Sequence, residues 1–364
     1  MLHRRMIGFR SWASAQARAL VVVAAVARRP TIGPRAPWVG TGRVVEEEPG
    51  GVAASVYGSG RGRCRPALVF FNGVTARGRH HPDVRRLSRA LARVGFLVVV
   101  PDLPGLSSGR IDGETVAAAV AVASAVADRP DVKGGRVGLA GVSIGATLAL
   151  VAAEDVRLAA RVTVVAAIAP YADFVNAVRL ATTAHALVAG RLVPFEPTAF
   201  LGLVVARSLV AALPSGAARD TLLAELELVP DDAPDPLGRF RAAGVEPEDA
   251  RALAALLGNR DPDRFDDLYQ ALPVDMRAGL AHLSPLTRAA ALRAPVEIAL
   301  GPRDTYLPLA EARSLIPAAT GTCVRVTVTS ALRHADTRPA RGDLGGLLRF
   351  EGWVARTIAA ARRA

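Results

Sequence analysis

The chain has 364 residues, of which 51% are apolar and only 5% are aromatic. This size and apolar content allow a large buried core, which excludes a disordered chain and a small disulfide-rich domain. The formal net charge is +12, yet Lys133 is the only lysine among the 45 basic residues. We interpret the excess as a compositional preference for arginine. With few aromatic residues to stack on bases, the sequence predicts no nucleic-acid binding.

The sequence lacks the usual patterns for metals and cofactors. Cys64 and Cys323 form no Cys-x-x-Cys pair, which excludes a cysteine-framed zinc site, and we expect both thiols to be buried. The glycines of residues 138–145 do not have the dinucleotide-binding spacing. Lys133 is followed by Gly134 and not by the Ser or Thr of a phosphate loop. We therefore predict no cofactor and no bound metal.

Residues 1–40 form a basic extension with no acidic residue. Its apolar run, Ala19–Ala27, is too short to cross a bilayer. We favour a helix that packs on the core or a loose extension, and a peripheral membrane contact is the first alternative. A secretory signal is disfavoured because Arg28-Arg29-Pro30 does not resemble a cleavage site. We therefore expect a cytoplasmic protein, with membrane association as the alternative.

After Trp38 the pattern changes to short strands. Two strands, Arg43–Glu47 and Val52–Tyr57, flank the turn residues Pro49-Gly50-Gly51, which predicts a hairpin. Six apolar strands follow, at Pro66–Phe71, Phe96–Val100, Val137–Val142, Val162–Ile168, Pro295–Leu300 and Val324–Val328. Five helices are interleaved with them, at Asp83–Val94, Gly113–Ala127, Ala146–Ala153, Leu309–Ile316 and Leu344–Ala361. This alternation predicts a mainly parallel sheet with helices on both faces.

The alternation stops between Tyr171 and Pro285, where the sequence predicts helices only. We therefore divide the chain into the extension 1–40, a core of 41–170 and 286–364, and a helical cap of 171–285. The apolar helix Phe200–Leu213 of this cap is too short for a membrane span.

Residues 141–145, Gly-Val-Ser-Ile-Gly, lie between an apolar strand and an Ala/Leu-rich helix. Gly141 and Gly145 flank Ser143 at the distance that permits a very sharp strand-to-helix turn. Such a corner pushes the serine hydroxyl out at a helix N-terminus, which favours developing negative charge. The pentapeptide alone is weak evidence, so its context has to decide.

A serine nucleophile needs a base, and the base needs an orienting carboxylate. Of six histidines, only His334 follows the final strand, at the sheet end where Ser143 emerges. The other histidines are in the tail, an early loop or the cap: His3, His80, His81, His185 and His282. Asp304 closes the preceding strand and is our choice of acid. Asp173 is the rival acid, with a helix N-cap as its structural reading, and Asp102 is interpreted as structural.

The tetrahedral intermediate of acyl transfer also needs hydrogen-bond donors for its oxyanion. We assign one to the backbone N–H of Ile144, directly after the serine. The other is assigned to the N–H of Val74, because Gly73 in the Asn72-Gly73 loop allows close backbone approach.

Together these features resemble the α/β-hydrolase superfamily over residues 43–170 and 286–364. The resemblance rests on the pentapeptide, on Asp304 in a Gly-x-x-Asp-x-x-x-Pro turn, on His334 after the last strand, and on the order Ser, Asp, His. It implies a mostly parallel eight-stranded sheet with helices on both faces and a helical cap inserted after the sixth strand. Asn72-Gly73 stands where the family often has His-Gly. We expect the oxyanion hole to survive, since the donor is a backbone amide.

A serine nucleophile excludes the superfamily members that use aspartate, such as dehalogenases and epoxide hydrolases. We predict a serine hydrolase that cleaves a carboxylic ester through an acyl-enzyme on Ser143. Its small-molecule substrate would have an apolar acyl part, held in a pocket roofed by Phe200–Leu213. A peptidase, thioesterase or C–C hydrolase on the same triad stays open. So does a non-catalytic, membrane-associated protein of this fold. The sequence does not indicate the oligomeric state.

Overall fold

The computed structural model describes residues 2–26, 44–58, 64–241, 250–334, 336–337 and 343–363. Arg28-Arg29-Pro30 and the predicted strand start at Arg43 lie outside these residues. The strands are β1 (Val44–Glu47), β2 (Ala54–Tyr57), β3 (Arg65–Phe71), β4 (Leu97–Pro101), β5 (Val132–Val142), β6 (Val162–Ile168), β7 (His185–Val188), β8 (Arg191–Pro194), β9 (Val296–Leu300), β10 (Val324–Val328), β11 (Leu332–Arg333) and β12 (Asp336–Thr337).

Thirteen α-helices lie within the described residues. They are α1 (Leu2–Val26), α2 (Pro82–Arg93), α3 (Gly113–Ala127), α4 (Ile144–Ala153), α5 (Phe174–Thr183), α6 (Ala199–Ala211), α7 (Ala217–Glu227), α8 (Arg251–Gly258), α9 (Phe265–Gln270), α10 (Val274–His282), α11 (Leu309–Arg313), α12 (Leu315–Ala318) and α13 (Leu344–Ala361). The single helix predicted over Leu309–Ile316 is thus two short helices.

Eight strands form one sheet in the order β1-β2-β4-β3-β5-β6-β9-β10. The hairpin β1–β2 is antiparallel, β2 also runs antiparallel to β4, and the remaining neighbours are parallel. The Val- and Ala-rich central strands are buried, as expected for a parallel sheet covered on both faces. The predicted fold class is confirmed.

Alternate residues of each strand point into two separate apolar layers. Along β3, Val69 and Phe71 pack in the layer that contains α3 and α4. Leu68 and Phe70 point to the opposite face and pack with α1, α2 and α13. This two-residue alternation is intrinsic to strand geometry, and it gives the protein one apolar layer on each side of the sheet.

The segment between β6 and β9 contains α5 to α10, together with a small hairpin that the sequence did not predict. Strands β7 and β8 pair in antiparallel fashion around Ala189-Gly190, and both turn residues have positive φ, +49° and +77°. Two successive residues in this conformation make the tight turn that suits the twist of a hairpin. The prediction of helices only for 171–285 is therefore wrong at this point.

The N-terminal helix α1 packs against both α13 and α2. Ala15, Ala19 and Val22 are buried on one stripe, at the spacing of a helix face. The guanidinium of Arg18 donates from Nε to the carbonyl oxygen of Val94 at 3.2 Å. The segment that the structure describes is thus a helix packed on the core, and no described helix of the chain is both long and apolar enough to cross a membrane.

The two thiols differ from their prediction. Cys64 and Cys323 are both exposed free cysteines, because each lies just before its strand rather than within the sheet. The expectation of buried thiols is wrong.

Glu154, the C-cap of α4, is a buried carboxyl whose ionisation should oppose folding. It is 2% exposed, and its Oε1 has no hydrogen-bond partner among the described residues. Burial raises the pKa of Glu154 from 4.5 to about 9. Between these two values the folded protein keeps a proton that the unfolded chain releases, so the free energy of unfolding falls as the pH rises.

We predict a fall of up to about 1.4 kcal/mol per pH unit within that window. Glu154→Gln, which keeps the side-chain shape without the ionisable group, should remove this slope. Urea unfolding at pH values of about 5 and about 8 measures it. Glu227→Gln, at an exposed carboxyl of α7, is the matched control, and equal slopes in the two variants would contradict the prediction.

Candidate functional site

Ser143 lies at a strained corner between β5 and α4. Its φ is +53° and its ψ is −127°, a conformation that costs energy for any residue with a side chain. A Cβ atom on Gly141 would lie 2.2 Å from the carbonyl oxygen of Gly145, and a Cβ atom on Gly145 would lie 2.2 Å from the carbonyl oxygen of Phe71. Only glycine at both positions lets the helix start so close to the sheet.

The structure brings Ser143, His334 and Asp304 together. The Ser143 Oγ lies 3.0 Å from Nε2 of His334. On the other side of the imidazole, Nδ1 lies 2.9 Å from Oδ2 and 3.1 Å from Oδ1 of Asp304. These side chains come from loops that follow three different strands of the sheet, β5, β9 and β10. They meet because parallel strands end at the same edge.

Backbone donors hold the carboxylate of Asp304. Its Oδ1 accepts hydrogen bonds from the N–H groups of Tyr306, at 2.8 Å, and Leu307, at 3.3 Å. The carboxylate is only 4% exposed, so it is fixed in place before any ligand binds. Such preorganisation keeps an imidazole in one tautomer and one orientation.

Tyr306 is a site residue that the sequence prediction missed. Its ring stacks on the imidazole of His334 at 4.1 Å between centroids, and Phe200 of α6 meets Tyr306 edge-on at 6.4 Å. Burial, together with the nearby charge of Asp304, raises the pKa of the Tyr306 phenol, which therefore stays neutral. The sequence feature that could have identified Tyr306 as a site residue is its position two residues after Asp304.

The rival carboxylate Asp173 has other partners. Its Oδ1 accepts from the N–H of Val175 at 2.9 Å and from the hydroxyl of Ser284 at 3.1 Å. Asp173 thus caps the N-terminus of α5. Its own N–H donates to the buried carboxylate of Glu311 at 2.8 Å. These bonds hold α5 to the core.

Two other candidates are also structural. His81 caps α2, since its Nδ1 accepts from the N–H of Asp83 at 3.3 Å. Asp102 forms an ion pair with Arg79, in keeping with its structural reading. His80 is exposed at the end of a short turn before α2.

The two predicted oxyanion donors stay available. Ile144 is the first residue of α4, where backbone N–H groups have no partner within the helix. Across the described chain, neither the N–H of Ile144 nor that of Val74 donates a hydrogen bond to protein. Gly73 lies against the carbonyl of Val142, directly beside the corner. The side chain of Asn72 donates to the carbonyl of Gly73 at 2.8 Å and thereby ties this loop together.

A cavity of about 790 Å³ opens beside the imidazole of His334. Its mouth carries the polar side chains of Thr75, Arg303 and Arg333, whereas its interior is apolar. None of the described residues that line it belongs to 171–285. The apolar pocket beside the predicted base is therefore walled by the core and α1, and not by the helix Phe200–Leu213 as predicted.

This geometry is suited to nucleophilic acyl transfer. A serine hydroxyl, an imidazole and a carboxylate form one hydrogen-bonded chain, and free amide donors lie beside the serine. Within the described parts of the chain, no group of three or more His, Cys, Asp or Glu side chains is arranged to hold a metal ion.

A family model, that of the X-Pro dipeptidyl-peptidase (S15 family), matches residues 30–212, which is half of the chain. The chain belongs to the S15 family. It is therefore a hydrolase, and its membership in the α/β-hydrolase superfamily, predicted from the motifs, is confirmed. No curated protein matches the sequence.

Solved structures similar to this S15-family chain include a carboxylesterase, an acylaminoacyl peptidase and DcsB. EstE1, a thermophilic carboxylesterase from a metagenomic library, is 16% identical, with a TM-score of 0.50 and 96% of each chain covered. An acylaminoacyl peptidase from Pyrococcus horikoshii is 11% identical, with a TM-score of 0.46, 85% of this chain and 39% of that chain covered. DcsB, solved with its substrate analogue, is 14% identical, with a TM-score of 0.47, 87% of this chain and all of that chain covered.

The space around Gly145 and Gly279 predicts that a change to alanine has opposite effects on stability at these two helical positions. Gly145→Ala should destabilise the S15-family chain by about 1–3 kcal/mol, because its methyl group meets the carbonyl oxygens of Phe71 and Asn72. Gly279→Ala in α10 meets nothing within 4 Å and should stabilise the chain by up to about 1 kcal/mol. Urea denaturation midpoints measure both effects, and a neutral Gly145→Ala would contradict the close packing.

Proposed function

We propose that this protein is a serine hydrolase that cleaves carboxylic esters through an acyl-enzyme on Ser143, on substrates with an apolar acyl part. The observation that carries the proposal is the continuous chain from Ser143 through His334 to Asp304, with heavy-atom distances of 3.0 and 2.9 Å. These are hydrogen-bond distances at which a proton can pass between nucleophile and base.

In the proposed mechanism, Nε2 of His334 takes the hydroxyl proton as Oγ of Ser143 attacks the ester carbonyl. Asp304 accepts the Nδ1–H and stabilises the imidazolium that forms. The tetrahedral intermediate collapses, the C–O bond to the alcohol breaks, and the imidazolium returns the proton to the leaving alkoxide. Water then gives a proton to the imidazole as it attacks the acyl carbon. The bond from the acyl carbon to Oγ breaks, the carboxylic acid leaves, and the imidazolium returns the proton to Oγ of Ser143.

The negative charge of the intermediate would be stabilised by the N–H groups of Ile144 and Val74. The first belongs to the N-terminal turn of α4, where the helix dipole adds to the hydrogen bond. The second belongs to the loop that Asn72 ties together through Gly73. Donors that are fixed beforehand cost no reorganisation during the reaction.

The charges at the cavity mouth favour an ester over the N-terminal dipeptide that the family name suggests. A dipeptidyl-peptidase must bind the ammonium group of its substrate, which calls for a carboxylate at the mouth. Arg303 and Arg333 lie there instead. Among the described residues that line the cavity, Asp83 is the one acidic residue, and it forms an ion pair with Arg86 at 2.8 Å. A peptidase is the second candidate because of the family match.

A thioesterase, a C–C hydrolase and a non-catalytic protein of this fold are the other candidates. A cytoplasmic location and a peripheral membrane contact through residues 1–40 are likewise proposals. Sedimentation of the full chain with anionic and with neutral vesicles tests the membrane proposal, and equal sedimentation with both would contradict it.

We expect a fluorophosphonate probe to label Ser143, and p-nitrophenyl esters to be turned over faster than an X-Pro p-nitroanilide. Ser143→Ala should abolish labelling and reduce ester turnover at least about a thousandfold. Circular dichroism checks that the variant is folded. Unchanged ester turnover in Ser143→Ala would refute the proposal, and preference for the anilide would favour the peptidase.

The assignment of the acid can be tested with a matched pair of isosteric changes. Asp304→Asn should lower kcat on the ester by about four orders of magnitude, because the amide cannot hold the reactive tautomer of His334. Asp173→Asn should leave kcat nearly unchanged, since asparagine also serves as an N-cap. The reverse outcome would make Asp173 the acid.

A further inference from the structure

Three apolar residues on the central strands are unexpectedly accessible. Ala140 and Val142 of β5 and Ile168 of β6 are only half-buried, although their strands lie in the middle of the sheet and helices cover both faces. All three point to the face covered by α1, α2 and α13. Residues on such strands are normally fully buried. The covering helices therefore leave space over the sheet, and this space is the inner part of the cavity beside His334.

We call this inner part the acyl channel, bounded by Val142 at its mouth and Leu68 at its inner end. Leu68 lies three residues before the end of β3, which places the inner end about 10 Å from the strand end. Leu87 of α2 and Trp353 of α13 contribute the side walls. The channel thus runs along the strands, from the site end of the sheet towards Leu68.

The helix α1 closes the channel from outside. Its residues Val22 and Val26 line the cavity, and the helix packs on both α2 and α13. Val26, the last residue of α1, packs against the core. The N-terminal helix therefore acts as the outer wall of the channel.

The charge distribution fits a molecule with one polar end. The ionisable side chains among the described residues that line the cavity are His81, Asp83, Arg303, Arg333 and His334, and all belong to the loops or helix start at the site end. The inner walls are contributed by apolar residues and Thr357. The volume of about 790 Å³ is in the upper part of the range of ligand pockets, about 300–1,000 Å³.

We propose that the acyl channel binds a long, unbranched acyl chain between the sheet and α2 and α13, beneath α1, with the ester carbonyl at Ser143. The proposal rests on the ester hydrolysis proposed above. It makes the protein a long-chain acyl hydrolase whose chain-length limit is set by the inner end at Leu68, with α1 as the outer wall and no described residue of 171–285 in the lining. Each methylene that enters the channel leaves water, so longer chains gain affinity until the inner end is reached.

Kinetics on p-nitrophenyl esters from acetate to dodecanoate test the location. In the unaltered protein kcat/KM should rise by up to about fourfold per methylene. Val26→Trp and Leu87→Trp place a large ring in the channel from two different helices. Each substitution should reduce kcat/KM for the p-nitrophenyl dodecanoate ester at least about tenfold. It should leave kcat/KM for the acetate ester within about twofold of its value in the unaltered protein.

Leu20→Trp is the matched control on α1, because Leu20 is 59% exposed; it should keep the chain-length profile of the unaltered protein. If Val26→Trp and Leu87→Trp keep that profile too, the channel does not hold the chain. Equal losses on acetate and dodecanoate would likewise overturn the proposal, because they would indicate damage to the site itself.

Binding separates this inference from the proposed function. Isothermal calorimetry of dodecanoate with Ser143→Ala requires no turnover. Binding that Val26→Trp weakens and Leu20→Trp does not would support the channel even if no ester is cleaved. Ester turnover combined with no dodecanoate binding and a flat chain-length profile would leave the hydrolase proposal intact and refute the channel.

Discussion

The contact between the first turn of α4 and the end of β3 is the constraint on which the site depends. Gly145 lies so close to the carbonyl oxygens of Phe71 and Asn72 that no side chain fits between them. This contact forces Ser143 into its positive φ and sets the serine beside the loop that continues from β3. The strain, of the order of 1–3 kcal/mol, is held because all ten residues of α4 are buried. The same packing contact thus positions the proposed nucleophile and the proposed oxyanion donors.

His334, the proposed base, is held in a comparable way from the other side. His334 also has a positive φ, +48°, and its imidazole is fixed at both nitrogens and on one ring face. Asp304 binds Nδ1, Ser143 lies at Nε2, and Tyr306 covers the ring. Through Phe200, this stack is also the point where α6 reaches the site. The segment 171–285 therefore contacts Tyr306, which stacks on the imidazole of His334. The described walls of the apolar cavity belong instead to the core and α1.

Ser143, Asp304 and His334 were predictable because each follows a strand, and parallel strands end at one edge. Other features of the fold and the site could not be predicted from the sequence, for physical reasons. The β7–β8 hairpin depends on Ala189 in a left-handed conformation, which its residue type disfavours. The stack of Tyr306 on His334 joins two loops whose distance is set by the tertiary fold. A cavity is harder still to predict from the sequence, because it is a space left between elements that are remote in sequence.

The packing of the N-terminal helix on the core accounts for its basic and apolar composition without a membrane contact. Its buried stripe is built from small residues, Ala15, Ala19 and Val22, which allow a close approach to α13. The guanidinium of Arg18 donates a hydrogen bond to the carbonyl oxygen of Val94, the C-cap of α2. Without this helix the apolar walls formed by α2, α13 and the sheet would face solvent, a patch that monomeric proteins avoid. The composition of α1 is therefore accounted for by the apolar walls that it covers.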